Sequence, residues 1–306
     1  MPELILHQYE LSPFSEKIRR ILAYKDLPWH AVRAPAIMPK PELVALTGGY
    51  RRIPVLQVHN HVYCDTALIA RVLEALDPEP TLYPTPLSQA VAEWFDGPVF
   101  QAATPFVARP TRLDEAMRLM QPEELAGLVA DRIAMQEADQ RRPRGFRAAK
   151  AALSIYLTRL DRAAALSPFL LGELPSIADF SAYHVVWLLD KIAPEPLAKH
   201  TQLKAWMERV AAIEGEEPTP MTSEEALTVC RESEPWEPEE PFDEDPGFAK
   251  GEVVTVRATD YGRDPVKGVL VQSLLGEIAI RREDPRAGTV YVHFPRIGYE
   301  IARAET

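Results

Sequence analysis

The run Ser12-Pro13-Phe14-Ser15-Glu16-Lys17-Ile18 follows shortly after the apolar stretch Leu4-Ile5-Leu6. A short buried strand leading through a Ser-Pro step into a helix puts Ser12 at the N-cap. There its hydroxyl accepts a hydrogen bond from an otherwise free backbone amide. Pro13 suits the first helical position, because its missing N–H had no helical partner to lose. The start of a helix carries partial positive charge, so an anion beside Ser12 is stabilised. Ser12 is therefore either a simple helix cap or the donor to a bound anion such as a thiolate. Serine forms no mixed disulfide, so thiol–disulfide exchange at this turn is excluded unless Cys64 reaches it.

A second run, Tyr50-Arg51-Arg52-Ile53-Pro54-Val55-Leu56-Gln57-Val58-His59-Asn60-His61-Val62-Tyr63-Cys64-Asp65-Thr66, frames a hairpin. Val55 to Val58 and Val62 to Cys64 are the expected strands, with His59-Asn60-His61 as the turn. Asp65-Thr66 then opens a helix whose apolar face is Leu68, Ile69, Val72, Leu73 and Leu76. Further on, Ser176-Ile177-Ala178-Asp179 has the spacing of a capping box ahead of an apolar helix ending near Leu189, which gives Asp179 a folding role.

In this order the chain resembles the cytosolic glutathione S-transferase superfamily, in its serine-type bacterial form. The resemblance rests on the serine-led helix, Ile-Pro before a strand, an acidic-hydroxyl pair opening a helix, and the later capping box. It implies that Pro54 is cis and that the Ile53 backbone pairs with the cysteinyl part of glutathione. It also implies that Asp65 and Thr66 hold the γ-glutamyl end. Lys40, Arg51 and Arg52 fall where the family holds the glycine carboxylate; Lys40 and Arg52 are taken as ligands, and which cation faces the site is left open. An arginine fork would suit a carboxylate. The expected cofactor is glutathione as co-substrate, with no metal. Ser12 would be the catalytic group, donating to the glutathione sulfur. A thiol pKa of about 8.5 must fall by roughly two units, about 2.7 kcal/mol, for thiolate to dominate. The partner in the reaction would be a small hydrophobic electrophile held against the helical half, and the resemblance implies a homodimer. The alternative is a non-catalytic binding or scaffold protein whose C-terminal β region meets a partner.

The elements that must position these residues divide the 306 residues into parts. Residues 1–80 alternate strands and helices, as in an α/β thioredoxin-like unit, and 87–232 have helical apolar spacing throughout. Within the latter, Ser223 to Cys230 is expected to be a last helix folded back onto the helical half. Residues 233–248 form an acidic, proline-rich linker. Residues 249–306 show period-two alternation in five short stretches: Glu252 to Arg257, Val266 to Leu274, Glu277 to Arg281, Thr289 to Phe294 and Tyr299 to Ala302. That pattern suggests a small antiparallel β-barrel-like domain.

Charge is uneven. Between Glu214 and Pro246, thirteen acidic residues face Arg231 alone, so that segment carries −12 of a chain total of −11. The acidity therefore belongs to the linker, not to a site for cationic substrates. In the β region basic and acidic residues are interleaved, which argues against a nucleic-acid partner. His59 and His61 have no third ligand nearby, so a metal site is not expected. Two cysteines, Cys64 and Cys230, far apart, suit a reducing compartment. No signal peptide or membrane-spanning stretch is evident, and a cytoplasmic location is expected.

Overall fold

The computed structural model describes residues 2–109, 112, 122–138, 145–236 and 247–304. The first part is the thioredoxin-like unit: β1 (Leu4–Gln8), α1 (Pro13–Tyr24), β2 (His30–Arg33), α2 (Pro41–Thr47), β3 (Val55–Val58), β4 (His61–Cys64) and α3 (Thr66–Leu76). β1 runs parallel to β2 and antiparallel to β3, which runs antiparallel to β4. Every residue of β1 is buried, as suits a central strand covered on both faces. His61 is the first residue of β4, so the turn is His59-Asn60, with His59 at φ 57°.

The helical part comprises α4 (Leu87–Trp94), α5 (Phe100–Val107), α6 (Pro122–Ala138), α7 (Phe146–Ala164), α8 (Ile177–Ile192) and α9 (Thr201–Ala211). A π-turn over Phe95–Val99 joins α4 to α5. α8 is the buried central helix, packed on α1 and α4. Its start is the expected capping box: Asp179 accepts from the Ser176 backbone N–H at 3.0 Å and from the Ser176 hydroxyl at 2.9 Å. Asp179 also takes the Leu170 amide at 2.7 Å and the Trp206 indole N–H at 3.0 Å. A fully buried carboxylate with this many donors holds the fold together, in line with its sequence pattern.

Two arrangements differ from the sequence expectation. The helix α10 (Ser223–Glu232) does not fold back onto the helical part; it packs on α2, β2 and the C-terminal strands. Ala226 meets Ile5 and Val32, while Leu227 and Cys230 enter the core beneath α2. The short strand β5 (Thr219–Pro220) leads the chain there by pairing with β2. Apolar spacing marked the helix but not which neighbour would cover it.

The second difference lies in the C-terminal strands β6 (Val253–Ala258), β7 (Val266–Ser273), β8 (Glu277–Asp284), β9 (Gly288–Pro295) and β10 (Tyr299–Arg303). They are antiparallel to one another, as expected. They do not stand apart, however: β9 pairs with β4 in parallel, with His61 opposite Tyr291 and Tyr63 opposite His293. The result is one ten-stranded sheet in the order β10-β6-β7-β8-β9-β4-β3-β1-β2-β5. β4 would otherwise be an open edge, with unpaired backbone groups that invite association. The joined halves share one core, in which Leu46, Tyr50, Val55 and Val62 pack with Val256, Leu270, Val292 and Phe294. Residues 237–246, most of the proposed acidic linker, lie outside the described residues. Among the described residues no helix is long and apolar enough to cross a membrane.

Candidate functional site

Val55 at the start of β3 lies opposite His7 near the end of β1 and opposite Cys64 at the end of β4. That register brings three segments to one end of the sheet: the Ser12 turn after β1, Ile53-Pro54 before β3, and Asp65-Thr66 after β4. Strand pairing thus assembles residues up to 54 positions apart.

Ser12 is the N-cap of α1 and is only 2% exposed. Its oxygen accepts from the Ser15 amide at 3.1 Å, and its own amide donates to the Tyr9 carbonyl at 3.1 Å. The phenol of Tyr9 is hydrogen-bonded to Ser12 and to Arg132 of α6; burial raises its pKa, partly offset by Arg132. The Ser12 hydroxyl therefore sits at the positive end of α1, accepting from the Ser15 amide and hydrogen-bonded to Tyr9. The Ile53–Pro54 peptide is cis. Pro54 is buried and Ile53 half-buried.

Asp65 caps α3, accepting from the Ala67 amide at 2.9 Å, and has φ 78°. A non-glycine residue held in this left-handed region costs roughly 1–3 kcal/mol and persists only where surrounding contacts impose it. The second carboxylate oxygen accepts from the Tyr299 hydroxyl of β10 at 3.2 Å. Tyr299 in turn shares a hydrogen bond of 2.9 Å with the Tyr50 hydroxyl. The neighbouring Thr66 hydroxyl accepts from the buried Lys17 ammonium at 3.3 Å, and Lys17 pairs with Asp96 of the π-turn at 2.6 Å.

The three cations expected near a carboxylate take different positions. Lys40 is the buried N-cap residue of α2 and donates to the Arg51 carbonyl at 2.7 Å. Burial, reinforced by the positive charges of Arg132 and Arg51, lowers its pKa to about 7. Arg51 turns to Asp131 of α6 and, at 3.5 Å, to Asp264. Arg52 donates to the Tyr261 carbonyl at 3.1 Å, pairs with Asp260, and lies 4.1 Å over the Tyr261 ring. The β6–β7 connection thus reaches over this end of the sheet and engages both arginines. Cys64 is fully buried in the shared core, and burial pushes its thiol pKa far up. It therefore supplies no reactive sulfur. Among the described residues no cluster could hold a metal ion.

Tyr299, Tyr261, Tyr50 and Arg132 are the site neighbours that sequence reasoning missed. Tyr299 lies 234 positions from Asp65. Nothing local to either residue signals the contact; it arises from the way the C-terminal strands, joined to β4 through β9, carry β10 to this end of the sheet.

Residues 6–81 match the model of the glutathione S-transferase N-terminal domain, and residues 108–214 match that of the C-terminal domain. The chain belongs to the glutathione S-transferase family. It is similar to a solved GST-like protein from Pseudomonas syringae, 34% identical over 99% of this chain and 100% of that one, with a TM-score of 0.81. Coverage of 99% means that relative also matches the C-terminal strands. FtsZ-localized protein A of Caulobacter vibrioides is 24% identical over 212 residues, 67% of this chain and 85% of its own. A glutathione S-transferase of Methylobacterium radiotolerans, solved with glutathione sulfonate, shares the fold at 18% identity and a TM-score of 0.50, over 70% of this chain and 96% of that one.

Proposed function

We propose that this protein binds glutathione at the Ser12, Ile53 and Asp65 end of the sheet and activates its thiol for attack on a small hydrophobic electrophile. The observation that carries this reading is Asp65. Its φ of 78° is strained for an aspartate, and it follows β4 at the end of the sheet where Pro54 precedes β3 and the Ser12 turn follows β1. Strain kept at such a convergence is a feature of ligand sites. Family membership, with a relative solved around glutathione sulfonate, supports the same ligand.

In this reading the Ile53 backbone meets the cysteinyl group and Asp65 and Thr66 meet the γ-glutamyl end. Ser12 donates to the sulfur, releasing its contact with Tyr9 as the thiolate arrives. Arg52 or Lys40 meets the glycine carboxylate after exchanging a present partner. The active form is proposed to be a homodimer, which light scattering of the purified chain would test, and the setting is proposed to be cytoplasmic.

A second reading has its own observation. Asp65, Thr66, Arg51 and Arg52 are all already engaged by protein groups. A chain that uses the fold to present a surface, without turnover, would keep those contacts closed. Calorimetric titration with reduced glutathione separates the two. Saturable binding in the millimolar range or tighter, with activity towards an electrophile lost in Ser12→Ala, supports the enzyme. Absence of heat at several millimolar and at two temperatures overturns it and leaves the binding or scaffold reading.

A further inference from the structure

The junction of β4 with β9 carries a feature that the glutathione reading does not use. An open pocket of about 330 Å³ lies between α3, β4, β7, β8 and β9, walled by Tyr63, Leu76 and Trp236 and floored by His61, Gln272 and His293. Its volume is at the small end of ordinary ligand sites, about 300–1,000 Å³.

Three polar side chains form a chain along its floor. His293 Nδ1 lies 2.6 Å from the Glu277 carboxylate, and His293 Nε2 lies 2.9 Å from His61 Nδ1. The Glu277 anchor together with a neutral His293 ring sets the direction of this chain. A carboxylate only accepts, so His293 Nδ1 carries a proton and donates. In the neutral ring Nε2 then holds the lone pair and accepts from His61 Nδ1–H. His61 Nε2 is left with its own lone pair and no hydrogen-bond partner among the described residues.

The rings around His61 fix its plane. It stacks on Tyr291 at a centroid distance of 5.3 Å and meets the edge of Trp236 at 4.8 Å. Tyr63 lies 4.5 Å from His293. Burial holds the His61 pKa well below the ordinary 6.5. So weak a base stays neutral and accepts hydrogen bonds; it is no proton acceptor for catalysis near neutral pH. The walls are aromatic and aliphatic, and the free floor atom is an oriented acceptor.

We propose that this pocket is a second binding site, for a small planar aromatic molecule whose N–H or O–H donates to His61 Nε2. The site exists only because the C-terminal strands dock on β4: His61 and Tyr63 come from one half, and His293, Glu277 and Gln272 from the other. A ring entering it stacks among Trp236 and Tyr63 and places its donor on the histidine.

Ligand-observed saturation-transfer NMR on the full chain tests this with indole as the probe and 1-methylindole as the donor-free control. Indole should bind with a millimolar or tighter Kd, and 1-methylindole at least about fivefold more weakly, the scale of one net hydrogen bond. His61→Phe, which keeps a ring and removes the acceptor, should weaken indole by a similar factor; Trp236→Ala, which removes a wall, should also weaken it. Circular dichroism establishes that each variant is folded, and either folded variant alone suffices. No transfer to indole at several millimolar overturns the proposal, as does equal binding of 1-methylindole or unchanged binding in the folded variants.

Discussion

The hydroxyl of Tyr299, on the last strand, donates to the carboxylate of Asp65 at the cap of α3 across 3.2 Å. One residue belongs to the C-terminal extension and the other to the proposed γ-glutamyl site, so the extension is part of that site's wall. Tyr299 →Asp65 and the Tyr50–Tyr299 pair form one buried chain of hydrogen bonds. Its Asp65 end also caps a helix. Removing the middle link leaves a buried hydroxyl unpaired, which costs more than the bond itself.

Tyr299→Phe is expected to lower stability by about 1–2 kcal/mol, through the orphaned Tyr50 hydroxyl and the loosened Asp65. Glutathione affinity should fall by about three- to tenfold, since Asp65 loses the contact that orients its second oxygen. Urea denaturation reads the first effect and calorimetry the second.

Asp65→Gly sets strain against function. Glycine relieves the φ of 78° without steric cost, while the carboxylate cap and the Tyr299 contact are lost. These effects oppose, so stability should stay within about 1 kcal/mol of the parent chain. Glutathione binding should nevertheless weaken at least about tenfold, because the γ-glutamyl amine loses its counter-charge. Thermal melts beside calorimetry would reveal the split.

Lys40 gives a pH dependence with a defined sign. Its pKa falls from the ordinary 10.5 to about 7 in the folded chain. Between those values the unfolded chain binds the extra proton, so raising the pH favours folding, and the stabilisation is lost as pH falls towards 7. Relative to Lys40→Met, which has no proton to bind, the parent chain should gain about 2 kcal/mol from pH 7 to about pH 9. Denaturant titrations at several pH values, compared between the two, isolate this slope.

A chain ended at Pro246 loses the strand that covers β4 and half of the shared core. It is expected to aggregate or to bind a hydrophobic dye, because β4 becomes a free edge and Val55, Val62 and Leu46 lose their apolar cover. Size-exclusion chromatography and near-ultraviolet circular dichroism check this. A well-behaved truncated monomer or dimer would show that the thioredoxin-like and helical parts are stable without the extension.

Much of the fold was legible because its signals are local. The Ser-Pro step, the Asp65 cap, the Ser176–Asp179 box and the period-two alternation after residue 252 each act within a few residues. Their element types follow from capping and burial alone. The ends of strands shifted by a residue or two, as at His61, because a turn and a strand start share the same residue types there.

By itself, then, the sequence determined the thioredoxin-like and helical parts, the serine at a helix start, the proline before β3 and the five antiparallel strands. Only the tertiary structure decided that β9 lies on β4, that α10 packs under α2, and that Tyr299 and Tyr261 reach Asp65 and Arg52. The physical reason is that alternation fixes which face of a strand is buried but carries no address for the edge it will join. That choice comes from the summed burial and hydrogen bonding of residues more than two hundred positions apart, such as Tyr50 and Tyr299, whose hydroxyls meet at 2.9 Å.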